Sequence, residues 1–547
     1  MLTGFKQTLI ELYEGRTQPS MALLWKTKQP IVWVLALIIG LLGALAILAF
    51  RYVIDTTQWW WIGTRAENIA ITIVSSRPWW QVMAGPVVVG GIIGILLTLF
   101  TPGRRAQGMA DVIAARTVKG AYMPWKEGLM SAVISAISIG GGASAGREGP
   151  AVHVAATISS VLGSRFSLSF ASRRVLLGCG AAAAVSASFN APIAGVLFAH
   201  EVILGHYAAS AITPIVISSV SATLLTRQFL GDFPTFALPA FHINSTWEFP
   251  AFLLLGLICG LVAVAFQISM AMADRTANSV HIPLWARPLI GGVLIGALAV
   301  FVPEIIGVGY EATNLALRAK YETIGVYLLL LFAKTLATII TLASRFGGGV
   351  FSPSLYLGAM TGGAFGLIAS SIFPDLSSQQ GVYALVGMGA VAGAILGAPM
   401  STVLIVFELT GGYEMTIALL LAVTVATTTA KALAHQSLFA WQLSLRGIFL
   451  EDGPHRQIVK SLLVKDFMLP LKDDDDLDLT KDPDRPILRA QDTLEKALQT
   501  FAKGNYTRIA VYEDLKDMKT LVGWADYADA LSEYNKALVE AHEEEHR

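Results

Sequence analysis

The sequence predicts an all-α polytopic membrane protein built of two related halves, followed by a small α/β domain. Three observations carry this reading. Hydrophobic residues fill 54% of the 547 positions and charged residues only 14%, where a soluble chain carries about 25% charge. Residues 29–50, 78–103, 175–200, 202–226, 249–273, 346–374 and 376–407 contain no Asp, Glu, Lys or Arg, and about 20 apolar residues suffice to cross a bilayer. Finally, landmarks recur in order. "NAPIAGVLFAHE" (Asn190–Glu201) resembles "GAPMSTVLIVFE" (Gly397–Glu408), and each is preceded by a glycine-rich break ending in proline, at Pro150 and at Pro353. Related halves with Gly/Pro-interrupted helices point to a transport site where the halves meet.

Residues 1–28 alternate apolar and polar side chains ("FKQTLIELYEG") and suit an amphipathic segment at the cytoplasmic side. The first apolar run follows this long polar lead without a small-residue cleavage pattern, so no cleaved leader is expected. Residues 29–450 form the membrane zone. Within it, Arg104 to Lys126 carries five basic residues against Asp111 alone, which by the positive-inside rule places that segment in the cytoplasm. Cys179 and Cys259 lie in apolar runs and imply no disulfide framework.

From Gly128 to Ser164 the only charged residues are Arg147 and Glu148, set among Gly146, Gly149 and Pro150. A charge at that depth marks a functional site by default. Glycine interrupts a helix and proline favours its first turn, so both breaks read as helix N-termini inside the membrane. The first N–H groups of such a helix lack internal partners and carry partial positive charge. Two of them converging at mid-membrane make an anion pathway that needs no full cationic charge. A Glu148 carboxylate beside those groups would compete with a permeant anion and so act as gate and proton carrier; the bland alternative is that Arg147 and Glu148 only cap the helix.

"GREGP" (Gly146–Pro150), "GVFSP" (Gly349–Pro353) and "FNAPIAGVLFAHE" (Phe189–Glu201) resemble segments of the CLC family of chloride channels and anion/proton exchangers. The resemblance implies two inverted halves of tilted, broken helices. It also implies a homodimer with one pathway per subunit, embedded in lipid in a bacterial inner membrane with both termini cytoplasmic. Glu148 matches the family's gating glutamate, and the N–H groups of Val350 and Phe351 match those that hold the central anion, with Gly146, Arg147 and Gly149 completing the site. Three positions depart from the pattern. "AQGMAD" places Gln107 where the family has a serine and Ala110 where it has a proline. "SLFAWQL" places Phe439 where the family has a tyrosine. Val202 stands where exchangers carry a second glutamate. Without these hydroxyls the anion binds more weakly unless Gln107 donates its NH2, and Val202 favours a channel; the alternative is an exchanger whose protons travel through water or Glu201.

Glu201 and Glu408 end equivalent runs and read as capping or pairing residues in preference to permeation residues. Lys334 and Arg345 flank an apolar helix and are candidates to pair with one of these glutamates, though the sequence names no partner. "HEVILGH" (His200–His206) sets its histidines six apart, on opposite sides of a helix, which fails the spacing of a zinc hydrolase. His153, one turn past Glu148, reads as a packed neutral histidine. A divalent-cation channel would require rings of acidic residues along the pore, and helix N-termini repel cations. No metal, no nucleic acid and no enzymatic activity are expected.

Residues 451–486 include the acidic run "KDDDDLDLTKDPDRP" and read as a solvated linker. Residues 487–547 look like one CBS module, with a helix from Thr493 to Lys503, strands at "RIAVYED" and near "TLVGW", and a last helix. A single copy would pair across a dimer or with a remnant containing "LLVKDFMLP". A structural clamp is the expected role, and an adenine nucleotide the alternative.

Overall fold

A computed structural model describes residues 28–547 apart from 67–68, 102, 119, 167, 233–235, 237–241, 411, 451–458, 460–461, 472–485, 505, 516–517 and 547. The expected N-terminal amphipathic segment and most of the acidic linker lie outside the described residues.

The membrane zone is helical throughout. Its first half runs α1 (Gln29–Ile62), α2 (Ala70–Ser75), α3 (Trp79–Phe100), α4 (Met109–Val118), α5 (Trp125–Gly140), α6 (Glu148–Arg165), α7 (Phe170–Phe189), α8 (Pro192–Phe198) and α9 (Ala209–Leu230). The second runs α10 (Phe249–Ser279), α11 (Ala286–Phe301), α12 (Tyr310–Leu317), α13 (Ile324–Ala343), α14 (Phe351–Ile372), α15 (Gln380–Leu396), α16 (Pro399–Thr410), α17 (Tyr413–Ala434) and α18 (Leu438–Ser444). Apart from α2 and α18, each helix has a counterpart at the same place in the other half.

Seven helices among the described residues are long and apolar enough to cross a bilayer. Two of the uncharged runs are not single crossings. The run 175–200 breaks at Asn190, which takes a left-handed φ of 58° and ends α7. The run 376–407 breaks at Gly397, with φ 69°, between α15 and α16. Proline then restarts each chain as Pro192 and Pro399, because its fixed φ suits a first helical turn and its missing N–H loses no bond there. Conversely, α13 escapes a search for uncharged runs because Lys334 sits in its middle.

Without a hydrophobic drive between helices in lipid, close packing needs small residues at the contacts. A Cβ at Gly362 of α14 would lie 2.0 Å from the Tyr383 carbonyl oxygen of α15. Ala181 to Ala184 of α7 are likewise fully buried.

The C-terminal region forms a four-stranded sheet in the order β1-β4-β3-β2. Its strands are β1 (Leu469–Pro470), β2 (Ile487–Arg489), β3 (Arg508–Leu515) and β4 (Met518–Asp526), with α19 (Leu494–Gly504) and α20 (Tyr527–His546). The helix and both long strands fall where the sequence puts them. The region begins earlier than residue 487, however. Leu469 and Pro470 pair antiparallel with Trp524 and Gly523, and Val464 and Phe467 join the core of Leu488, Leu494, Phe501 and Val511. Apolar residues of "LLVKDFMLP" thus fold with the sheet they precede.

Candidate functional site

The two glycine breaks meet. The Gly146 N–H donates to the Gly349 carbonyl and the Gly349 N–H donates to the Gly146 carbonyl, each at 2.7 Å. This antiparallel bridge brings the starts of α6 and α14 together, and its reciprocity is that of two segments related by a two-fold axis. Side chains are excluded at the bridge. A Cβ on Gly146 would stand 2.9 Å from both the Glu148 carboxylate and the Ser352 backbone nitrogen.

A cavity of about 290 Å³ ends at this junction, lined there by Gln107, Gly149, Val350, Phe351 and Phe439. The N–H groups of Val350 and Phe351 open α14, so no preceding turn supplies them with carbonyl partners. The Phe351 ring is fixed against Phe189 and Phe198, with centroids 5.1 and 6.0 Å away. Phe439 brings an apolar ring to the cavity. Gln107 lies at the wall with its amide engaged: Nε2 donates to Glu127 at 2.7 Å, and Oε1 faces His153 Nε2 at 3.0 Å. Only its second N–H can turn to an anion.

The same cavity carries Arg105, Arg345 and Arg446 with Asp111 and Asp274 at its wall. Asp111 accepts from Arg105 through both oxygens and from Arg446 at 2.9 Å. Burial alone would raise its carboxyl; hydrogen bonds and charge from Arg105, with the charge of Arg446, hold it well below the usual carboxylate range.

Glu148 is fully buried. Tyr310 Oη donates to Oε1 at 2.7 Å and Ser352 Oγ donates to Oε2 at 2.6 Å. Tyr310 in turn lines a second, much smaller cavity with Gln58, Gly309 and Glu311. Glu148 itself lines neither cavity; its chain neighbour Gly149 lines the larger one and its hydrogen-bond partner Tyr310 lines the smaller.

Three predicted site residues are placed away from the anion cavity. The Gly146 N–H is engaged in the bridge and is not offered to a ligand. Arg147 is buried with its guanidinium carbon 5.0 Å over the Tyr310 ring, so it packs on the partner of Glu148 and lines neither cavity. Glu201 accepts from the Met400 N–H at 3.1 Å, and from the Ser401 N–H at 2.8 Å and its hydroxyl. Glu408 does the same for the other half, accepting from Ile193 and Ala194 at 2.9 and 2.7 Å. Each run's terminal glutamate thus caps the proline-started helix of the opposite half, which is the capping role its position suggested.

Lys334 pairs with neither glutamate: its ammonium donates to the carbonyls of Ile305 and Gly307 at 2.9 and 2.8 Å. Arg345 donates to Asn278 at 2.8 Å. Sequence reading missed Tyr310 and Ser352. Ser352 lay inside the "GVFSP" segment and could have been noticed as a hydroxyl; nothing near Tyr310 announced its role.

A family model described as voltage gated chloride channel matches residues 89–431. The ClcB-like protein of Ralstonia nicotianae, named for chloride channels, is 33% identical over 74% of this chain and 95% of its own. ClcA of Vibrio cholerae, named an H(+)/Cl(-) exchange transporter, is 28% identical over 76% of this chain and 90% of its own. The crystal structure of a slow cyanobacterial Cl-/H+ antiporter matches with TM-score 0.67 at 22% identity, covering 76% of this chain and 97% of that one. A eukaryotic CLC transporter matches with TM-score 0.63 at 17% identity, over 91% of this chain and 97% of that one. These structural likenesses show a shared fold. With its paired helix N-termini, its buried glutamate and these relatives, the chain belongs to the CLC family of integral membrane anion-transport proteins and is not an enzyme.

Proposed function

We propose that this protein exchanges chloride or another small inorganic anion for protons across a bacterial inner membrane, with Glu148 as both gate and proton carrier. The observation that carries the reading is the position of Glu148, fully buried where the starts of α6 and α14 meet, next to Gly149 of the larger cavity and hydrogen-bonded to Tyr310 of the smaller one. An anion entering the larger cavity reaches the N–H groups of Val350 and Phe351, which attract it without a full charge and release it again. To pass further it must displace the Glu148 carboxylate, and a proton on that carboxylate removes the competing charge.

Exchange is preferred over a channel because ClcA, the relative from Vibrio cholerae, is named an exchange transporter. A channel is the second reading, favoured by Val202. With Glu201 engaged as a cap, the proton route to Glu148 runs through water in the larger cavity. Its arginine-bearing wall supports reading that cavity as the cytoplasmic side, and both termini are read as lying on that side too. A homodimer with one pathway per copy follows from the family resemblance. The C-terminal sheet is read as a clamp needing no nucleotide.

The test is a proteoliposome loaded with chloride, with anion and proton movement recorded together. Proton movement driven uphill by chloride establishes exchange. Chloride efflux without coupled protons establishes the channel instead.

A further inference from the structure

We infer that Tyr310 is the latch of the Glu148 gate, a positioning residue whose hydroxyl holds the carboxylate in place at the junction of α6 and α14. The inference rests on the reading of Glu148 as a gate and adds a residue from the opposite half, 162 positions away in sequence. Both carboxylate oxygens are occupied, one by the Tyr310 phenol and the other by the Ser352 hydroxyl. Neither donor carries charge. The pair therefore stabilises the ionised carboxylate in place without permanently neutralising it, and a proton arriving on the carboxylate weakens its acceptance from both.

The latch is mounted rigidly. The Tyr310 ring lies between the Arg147 guanidinium, 5.0 Å from its centroid, and Phe236, at 5.1 Å and 76°. Immediately before it, Gly309 takes φ +89°, and a Cβ there would lie 2.8 Å from the Tyr356 ring and 3.2 Å from Lys334 Nζ. Lys334 ties down the carbonyls of Ile305 and Gly307 in the loop leading to Tyr310. On the other flank, Glu311 accepts from the N–H groups of Ile71 and Thr72 and from the Thr72 hydroxyl at the start of α2. A buried lysine and a buried carboxylate, neither of which touches the anion cavity, thus acquire a common purpose. They fix the segment from which the phenol reaches Glu148.

Loss of the phenol hydroxyl leaves the ring and its packing in place while removing one of the two donors. Chloride flux from proteoliposomes is measured for wild type, Tyr310→Phe, Glu148→Ala and the double variant. Tyr310→Phe is expected to raise flux roughly ten- to a hundredfold, the population shift that one hydrogen bond to a charged carboxylate controls. Ser352→Ala is expected to act in the same direction. In the Glu148→Ala background the tyrosine substitution is expected to change nothing, because nothing remains to be latched. An unchanged or lowered flux in Tyr310→Phe overturns the latch. So does an equal effect in both backgrounds, which would make Tyr310 a packing residue only. A Glu148→Ala flux below that of wild type in folded protein overturns the gate itself, and the latch with it.

Discussion

Replacing Glu201 by alanine separates a structural glutamate from a proton-carrying one. In the structure its carboxylate takes the N–H groups of Met400 and Ser401 and the Ser401 hydroxyl. Those two N–H groups open α16 and have no partner within the helix. Loss of a capping side chain costs about 1–2 kcal/mol, and loss of a negative charge at a helix N-terminus removes about 0.3–1 kcal/mol more. The change should therefore lower stability by about 1–3 kcal/mol, measured by denaturant unfolding in detergent micelles. Glu201→Gln keeps one acceptor oxygen and should lose about half as much. Glu408→Ala, which frees Ile193 and Ala194, should match Glu201→Ala. The double variant should depart from additivity, because the two caps brace the same contact between α8 and α16. Protein that survives each substitution should move protons and anions in the wild-type ratio. Unaltered stability together with lost proton coupling would refute the capping account and make Glu201 part of the proton route.

The remaining expectations concern the pathway itself. Glu148→Gln or Glu148→Ala should sustain anion flux at or above the wild-type rate while removing its pH dependence and any proton movement, checked by paired chloride and pH electrodes. Phe439→Tyr should tighten anion binding by adding a hydroxyl at the cavity wall, and an unchanged affinity by calorimetry would show that the ring does not face the anion. Asp111 has a depressed folded-state pKa, so the stability it contributes is present above its unfolded value of about 3.9 and is lost only as pH falls through the lower folded value. Asp111→Asn should therefore lower stability throughout pH 5 to 8 without shifting the pH midpoint of transport; a shifted midpoint would mean that Asp111 titrates in that range.

Much of the frame was legible because its determinants are local. Glycine-rich segments ending at Pro150 and Pro353 start helices where expected, since a first turn is decided by the residues that form it. The strands of the tail are likewise written in nearby residues. What escaped reading lies in contacts between distant segments. The Tyr310–Glu148 bond and the Glu201–Ser401 cap join positions 162 and 200 apart, and no periodicity encodes such pairs. Backbone partners are harder still. Lys334 is satisfied by two carbonyls, which every residue possesses, so no residue type betrays its partner. The resemblance puts Gly146 and Arg147 at the anion site beside Glu148, yet neighbours at a helix start point in different directions.

The duplication explains how two sets of broken helices can be stable in the bilayer. One half alone would leave the N-termini of its broken helices without partners in the bilayer, where each orphaned group costs several kcal/mol. Joined, the halves satisfy one another reciprocally, through the Gly146–Gly349 bridge and the exchanged caps of Glu201 and Glu408. The bridge also fixes the register in which "GREGP" and "GVFSP" correspond, and in that register Glu148 is the counterpart of Phe351. The backbone frame is shared, but one half supplies a titratable carboxylate and the other a phenylalanine beside the open N–H groups. Ser352, which donates to that carboxylate, is the counterpart of Gly149. A symmetric frame thus carries unlike side chains: a buried carboxylate at the start of α6, and a phenylalanine beside open N–H groups and the larger cavity at the start of α14.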